Sequence, residues 1–328
     1  MALATKMRVH SNPVYGSYLA DPFVWRSGGS YFAIGTGSAD AAGQTVGKAF
    51  TVLQSSDFFN WQFASNALLH PDPALGSSFW APEVAYHDGR YYLYYSVGHG
   101  DKDHRLRVAE SASPQGPYRD IGINLVDPAQ CAFAIDPHPF QDDDGQWYLF
   151  YARDFLETTK ARAGTALVVA KLERMTELAG EGKVVLRARM DWQRFQKGRS
   201  MYGEVWDWHT LEGPFVRKHD GRYYCFYSGG RWESENYGVD YGISQSVMGP
   251  YSDNGNESGP RVLRTEPGRI LGPGHNSIVT GPDGRNEYIV YHAWDREMKM
   301  RQMFIDPLVW TPEGPRCIRP SSEAQSAG

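Results

Sequence analysis

Three carboxylates in this 328-residue chain stand in apolar, turn-forming company rather than among other charges. They are Asp21 in Leu-Ala-Asp-Pro-Phe-Val, Asp136 in Phe-Ala-Ile-Asp-Pro-His-Pro-Phe and Glu212 in Thr-Leu-Glu-Gly-Pro-Phe-Val. Each is followed by Pro, at once or after one Gly. Proline fixes its own φ and restrains the residue before it, which helps hold an acid in one orientation. A carboxyl set in an apolar wall has a raised pKa, and a neighbouring acid raises it further. One member of such a group can therefore stay protonated near neutral pH while another ionises, which equips the group for general acid–base catalysis. Asp-Pro also occurs in plain turns, where the carboxylate caps backbone N–H groups, so each motif alone has a structural alternative. Glu83, in Phe-Trp-Ala-Pro-Glu-Val, is a fourth candidate, whereas Asp142-Asp143-Asp144 reads as a solvated turn.

Other chemistries lack their residues. Cys131, Cys225 and Cys317 are isolated, with no Cys-x-x-Cys pair for zinc or redox work and no disulfide framework. Cys225 lies in Tyr-Tyr-Cys-Phe-Tyr and reads as a small buried hydrophobe. No Gly-x-Ser-x-Gly elbow is present. The formal net charge is −5, with acids and bases interspersed and no basic stripe, so a nucleic-acid partner is not expected. A neutral partner such as an oligosaccharide fits better. No window has the apolar length of a membrane span, and the first residues lack the apolar stretch of a signal peptide. The expectation is a cytoplasmic protein with no membrane partner.

The acids are far apart in sequence, so some repeated scaffold must bring them together. One unit recurs: a turn centred on Gly, followed by a Tyr/Phe-rich strand. Its copies run from Arg26 to Gly37, His87 to Gly98, Asp143 to Asp154, His219 to Gly230 and Pro282 to Trp294. Asp-Gly between alternating hydrophobics is a strong hairpin signal, and the aromatic alternation suits half-buried strands. Further strand-like pieces follow each hairpin, and Ser113 to Tyr118 echoes Ser246 to Tyr251. Four-stranded units repeated in this way predict an all-β fold, a five-bladed β-propeller forming one domain over residues 1–320, with 321–328 a fraying polar tail. An irregular β-sandwich of tandem hairpins is the competing architecture. In a propeller the innermost strands line a central channel, so polar residues just before successive hairpins converge.

With four further segments, the acid motifs resemble the landmarks of the family 43 glycoside hydrolases, in that family's order from Asp21 to Trp310. Those segments are Phe-Trp-Ala-Pro-Glu-Val, Gly-Pro-Gly-His-Asn-Ser, Val-Tyr-His-Ala-Trp and Arg-Gln-Met-Phe-Ile-Asp-Pro-Leu-Val-Trp. The resemblance implies an inverting glycosidase in which Asp21 is the general base, Glu212 the general acid, and Asp136 the acid that tunes and orients Glu212. It implies a calcium ion held through His275, in a structural or supporting role, with a satisfied polar histidine as the alternative. It also implies that Arg301 reaches the sugar's hydroxyls. Trp80 is expected to stack on a sugar ring, and His209 to shape the leaving-group side with Trp206, Trp208 and Trp232. Glu83 then reads as a structural neighbour of Trp80. The expected activity is exo-acting β-xylosidase with α-L-arabinofuranosidase activity. An arabinanase, a non-catalytic sugar-binding propeller and a fructoside-cleaving propeller are the alternatives.

Overall fold

A computed structural model describes residues 8–37, 48–69, 72–317 and 324–327. Among these there is no α-helix; strands carry the fold, interrupted by two 3-10 turns at Pro73–Leu75 and Asp191–Gln193. The expected Asp-Gly turns are tight hairpins. Asp88 and Gly89 have φ of 46° and 80°, and Asp220 and Gly221 have 46° and 70°, between the pairs His87↔Arg90 and His219↔Arg222. Two successive left-handed residues match the twist of the strands they join.

Each hairpin opens an antiparallel meander. The first runs Ala20–Ser27, Ser30–Thr36, Lys48–Ser55, Gln62–Leu69, and the second Ser78–His87, Arg90–His99, Lys102–Ser111, Tyr118–Asn124. The third comprises Ala134–Gln141, Trp147–Phe155 and Gly164–Arg174, with Lys183–Leu186 on its edge. Glu204–His219, Arg222–Gly229 and Gly238–Ser244 follow, then Leu271–Thr280, Glu287–Trp294, Arg301–Thr311 and Gly314–Cys317. Arg194–Met201 lies outside this pattern and folds back on the start of Glu204–His219 as an extra hairpin. Within the segment expected to be a polar tail, Ala324–Ala327 forms a strand antiparallel to Arg8–Ser11, and the rest of 321–328 lies outside the described residues.

The apolar core lies between the meanders. Ile34, Val52 and Leu68 pack on Leu93 and Val97 of the next meander, and Leu106 and Val108 on Leu149 and Val168 of the one after. The sequence continues with Phe150 and Leu167 against Leu211 and Cys225, then Phe226 and Val239 against Ile289 and Tyr291. The last meander returns to the first, with Val290 and Ile305 against Val24 and Leu53. Each of the five meanders thus packs on two neighbours, and the set closes as a ring.

The first strand of every meander carries the same irregularity. Its register slips between Ala20 and Phe23, Trp80 and Glu83, Ile135 and His138, Glu212 and Phe215, and Gly274 and Ser277. Inside each slip one residue is left-handed: Asp21 (φ 50°), Ala81 (47°), Asp136 (58°), Gly213 (56°) and His275 (48°). A bulge turns the side chain of its extra residue away from the sheet's regular alternation. Proline follows four of these five residues, at a position where the broken ladder no longer needs an N–H donor. A left-handed non-glycine residue costs roughly 1–2 kcal/mol, so the surrounding packing must hold it there.

Glu83 has a structural role in tying meanders together. His138 Nε2 accepts the Val216 N–H at 2.9 Å, so its Nδ1 carries the proton and donates to Glu83 Oε2 at 2.7 Å. Both side chains are buried. His138→Ala strands the Glu83 carboxyl and the Val216 N–H, and is expected to cost about 3 kcal/mol in urea denaturation.

Candidate active site

Asp21, Asp136, Glu212 and His275 meet because their bulges lie at one level of the ring. Asp21 is the most heavily tied. Its N–H donates to His292 Nδ1 at 3.1 Å, and its Oδ2 accepts the Thr36 hydroxyl at 2.6 Å. The Thr36 oxygen also accepts the Ala81 N–H at 2.8 Å, linking the first bulge to the second. Oδ1 faces Arg301 Nη1 at 3.4 Å and His275 Nδ1 at 3.3 Å. Arg301 is fixed in turn by Tyr18, whose oxygen accepts from Nε at 3.0 Å and Nη2 at 2.8 Å. The guanidinium carbon sits 4.3 Å from the centre of the Trp232 ring, which stacks on Trp294 at 11°.

Glu212 Oε1 accepts the Tyr237 hydroxyl at 2.7 Å. Asp136 Oδ2 accepts the Gly213 N–H at 2.9 Å, so it grips the backbone immediately after Glu212. Two features favour glycine at residue 213. Its φ is left-handed, and a Cβ there would stand 3.1 Å from the His275 ring. The His275 N–H donates to Ser228 Oγ at 2.7 Å, and its Nδ1 lies 4.0 Å from Asp136 Oδ2.

The three acids have been driven apart electrostatically. Burial raises Glu212 to about 7, outweighing the Tyr237 hydrogen bond that lowers it, and the charge of Asp21 adds to the rise. Burial also pushes Asp136 well above the carboxylate range, reinforced by Glu212 and Asp21. Asp21 goes the other way: burial would raise it, but the opposing positive groups hold it well below the ordinary carboxylate range. Burial pushes both neighbouring imidazoles down, His292 to about 4, so they are neutral at pH 7. Arg301, buried and permanently charged, is then the cation that keeps Asp21 ionised.

A cavity of about 290 Å³ is lined by all three acids together with Trp80, Trp232, His275 and Arg301. Seven of the residues named from the sequence therefore share one site. His209 does not. It is buried in the strand leading to Glu212, with Nε2 2.6 Å from Arg162 Nη1 and Nδ1 3.1 Å from the Asp207 carbonyl. Strand alternation explains the correction: Thr210, two residues before Glu212, faces a neighbouring cavity, and His209 points the other way. Trp208 is likewise buried, and Trp206 donates its indole N–H to the Met201 carbonyl. Tyr18, Thr36 and Tyr237 were not singled out because they carry no motif of their own. His292 lies inside Val-Tyr-His-Ala-Trp, which offered the one available signal.

Among the described residues no three His, Cys, Asp or Glu side chains converge on a metal-sized point. Beside His275, both amide atoms of buried Asn276 lack a partner, as does His292 Nε2. Such orphaned groups accommodate ordered water. The donor set thus fits a hydrated cation held through one imidazole, rather than a cage of protein ligands.

A carboxyl held low and another held high thus face the same aromatic-walled cavity. The profile of "Glycosyl hydrolases family 43" matches residues 10–315. Over 307 residues the chain is 31% identical to the beta-D-galactofuranosidase xynD of Aspergillus niger, covering 89% of this chain and 78% of that protein. It is 27% identical over 311 residues to extracellular endo-alpha-(1->5)-L-arabinanase 1 of Bacillus subtilis, covering 89% and 85%. A crystal structure of a thermostable family-43 glycoside hydrolase superposes with a TM-score of 0.81 at 28% identity, over 96% of this chain and 98% of that one. The chain belongs to glycosyl hydrolase family 43.

Proposed function

We propose that this glycoside hydrolase is an inverting, exo-acting enzyme that releases xylose or arabinose from oligosaccharides, as a β-xylosidase with α-L-arabinofuranosidase activity. One observation carries the reading: Asp21 is held ionised while Glu212, in the same cavity, is held protonated to about pH 7. Glu212 protonates the glycosidic oxygen, and Asp21 takes a proton from a water on the opposite face of the sugar. Inversion requires the two carboxyls to stand roughly 6.5–9.5 Å apart, leaving room for that water. Asp136 orients Glu212 through the Gly213 N–H, which its Oδ2 accepts. Arg301 presents donors to the sugar hydroxyls, and Trp80 and Trp232 offer flat apolar faces to its C–H bonds. The meanders form the blades of a five-bladed propeller whose channel holds the site. A hydrated calcium ion at His275 adds positive charge near the acids when bound, in a supporting role.

The relatives named above include a galactofuranosidase and an endo-arabinanase, so the sugar is decided by assay. Purified protein is expected to release p-nitrophenol from the β-xyloside or the α-L-arabinofuranoside faster than from the β-galactofuranoside. Proton NMR of the first product should show the anomer opposite to that of the substrate. Retention of configuration, or tight sugar binding without release from any of the three, would overturn the reading. A second reading, endo-arabinanase, is favoured by the continuation of the cavity past Glu212. Internal cleavage of 1,5-α-arabinan into mixed oligomers would select it.

A further inference from the structure

The catalytic cavity is the first of a connected series. It shares Trp80, Ile135, Glu212 and Trp232 with a second cavity of about 330 Å³. The second shares Asp101, Phe133, Arg199 and Met201 with a third of about 590 Å³. Glu212 stands at the first junction. Because it protonates the leaving oxygen, whatever lies beyond it is the leaving-group half of the substrate.

The far wall of this groove is the extra hairpin that the repeat does not require. Arg194–Met201 and the start of Glu204–His219 meet at Tyr202 and Gly203, both left-handed at φ 55° and 79°. This two-residue turn leaves the tip little freedom. Two ties dock the hairpin on neighbouring meanders. The Tyr202 hydroxyl donates to Asp154 Oδ2 at 2.8 Å, and Arg199 Nη2 donates to Asp101 Oδ2 at 3.0 Å. Arg199 also covers the Phe195 ring at 4.7 Å. The docked tip still exposes Tyr202 (42%) and Val205 (70%), unusual for large apolar groups, and both line the third cavity. An exposed aromatic face, with Arg199 and Asp101 paired beside it, suits the C–H-rich face of a sugar ring.

We propose that this hairpin builds a leaving-group groove for two or more sugar units, making the enzyme a trimmer of longer chains rather than a disaccharidase. The proposal rests on the assignment of Glu212 as general acid. Sizes agree with it: the second cavity, about 330 Å³, is close to the catalytic one at about 290 Å³, and the third is about twice as large at about 590 Å³.

The test measures kcat/KM on xylobiose through xylopentaose and on the 1,5-α-arabino-oligosaccharides of equal length. The better series is expected to gain at least about tenfold from disaccharide to tetrasaccharide, mostly through KM. Tyr202→Ala should flatten that gain by about fivefold to tenfold, while Tyr202→Phe, which keeps the ring and loses the Asp154 hydrogen bond, retains most of it. A flat length dependence in the wild type, or an undiminished gain in Tyr202→Ala, overturns the groove. If the wild type cleaves no glycoside, the hydrolase reading fails instead. The groove is then judged by calorimetric binding of the same pentasaccharides to Glu212→Gln. Affinity there must rise with length and fall when Tyr202→Ala is added; binding independent of either rejects it.

Discussion

Glu212→Gln is expected to lower kcat on xylobiose by about two to four orders of magnitude, the usual contribution of a positioned general acid. The loss on 2,4-dinitrophenyl glycosides should be far smaller, because that leaving group departs without a proton. Glutamine keeps the shape and can still accept the Tyr237 hydroxyl, so the difference between substrates isolates the proton. The pH profile checks the same residue independently. Glu212 must be protonated to act, and its pKa is raised to about 7, so wild-type kcat/KM should fall as pH rises through 7. That alkaline limb should vanish in Glu212→Gln on the activated substrate. Stability moves the same way with pH. A carboxyl whose folded pKa lies above its unfolded value favours folding fully below about pH 4.5, and that advantage is lost as pH rises through 7. Removing the charge should therefore raise the melting temperature at pH 8 and change it little at pH 4. A variant that keeps wild-type activity on xylobiose sinks the acid assignment.

How much of this was legible beforehand follows from what local sequence encodes. The Asp-Gly turns, the aromatic strands and the Asp-Pro and Glu-Gly-Pro motifs are local signals, and they located the hairpins and the three acids. The bulges were not legible, although they decide where the acids point. The sequence marks them only by the following proline, and the same dipeptide occurs in ordinary turns. Thr36, Tyr237 and Tyr18 are a different case. Each acts through a partner far away in sequence, as Tyr237 does with Glu212 and Tyr18 with Arg301, and no single-chain pattern announces such a pairing. His209 failed for a physical reason too. Nearness to Glu212 in sequence suggested nearness in space, but an odd offset along a strand puts a side chain on the opposite face. The extra hairpin at Arg194–Met201 has no partner among the repeats, so a search for repetition passes over it.

Asp21→Asn is expected to abolish hydrolysis for every leaving group, again by about two to four orders of magnitude, and this lack of discrimination separates base from acid. Asparagine is the informative replacement because residue 21 is left-handed, a conformation Asn tolerates and Ala does not. It also keeps an oxygen for the Thr36 hydroxyl. Two further results tie the loss to the base. The negative charge of Asp21 helps hold Glu212 up, so removing it should move the alkaline limb of the residual activity below that of the wild type. Asp21→Gly adopts the same backbone freely and leaves a hole where the carboxylate stood. Azide entering that hole needs no base to deprotonate it. It should restore turnover of 2,4-dinitrophenyl xyloside or arabinofuranoside and yield the glycosyl azide of inverted configuration. Azide product with retained configuration would place the nucleophile on the wrong face and remove Asp21 from its role. An inactive Asp21→Gly protein that melts normally and gains nothing from azide would mean that Asp21 serves to position Arg301 and His292 rather than to activate water.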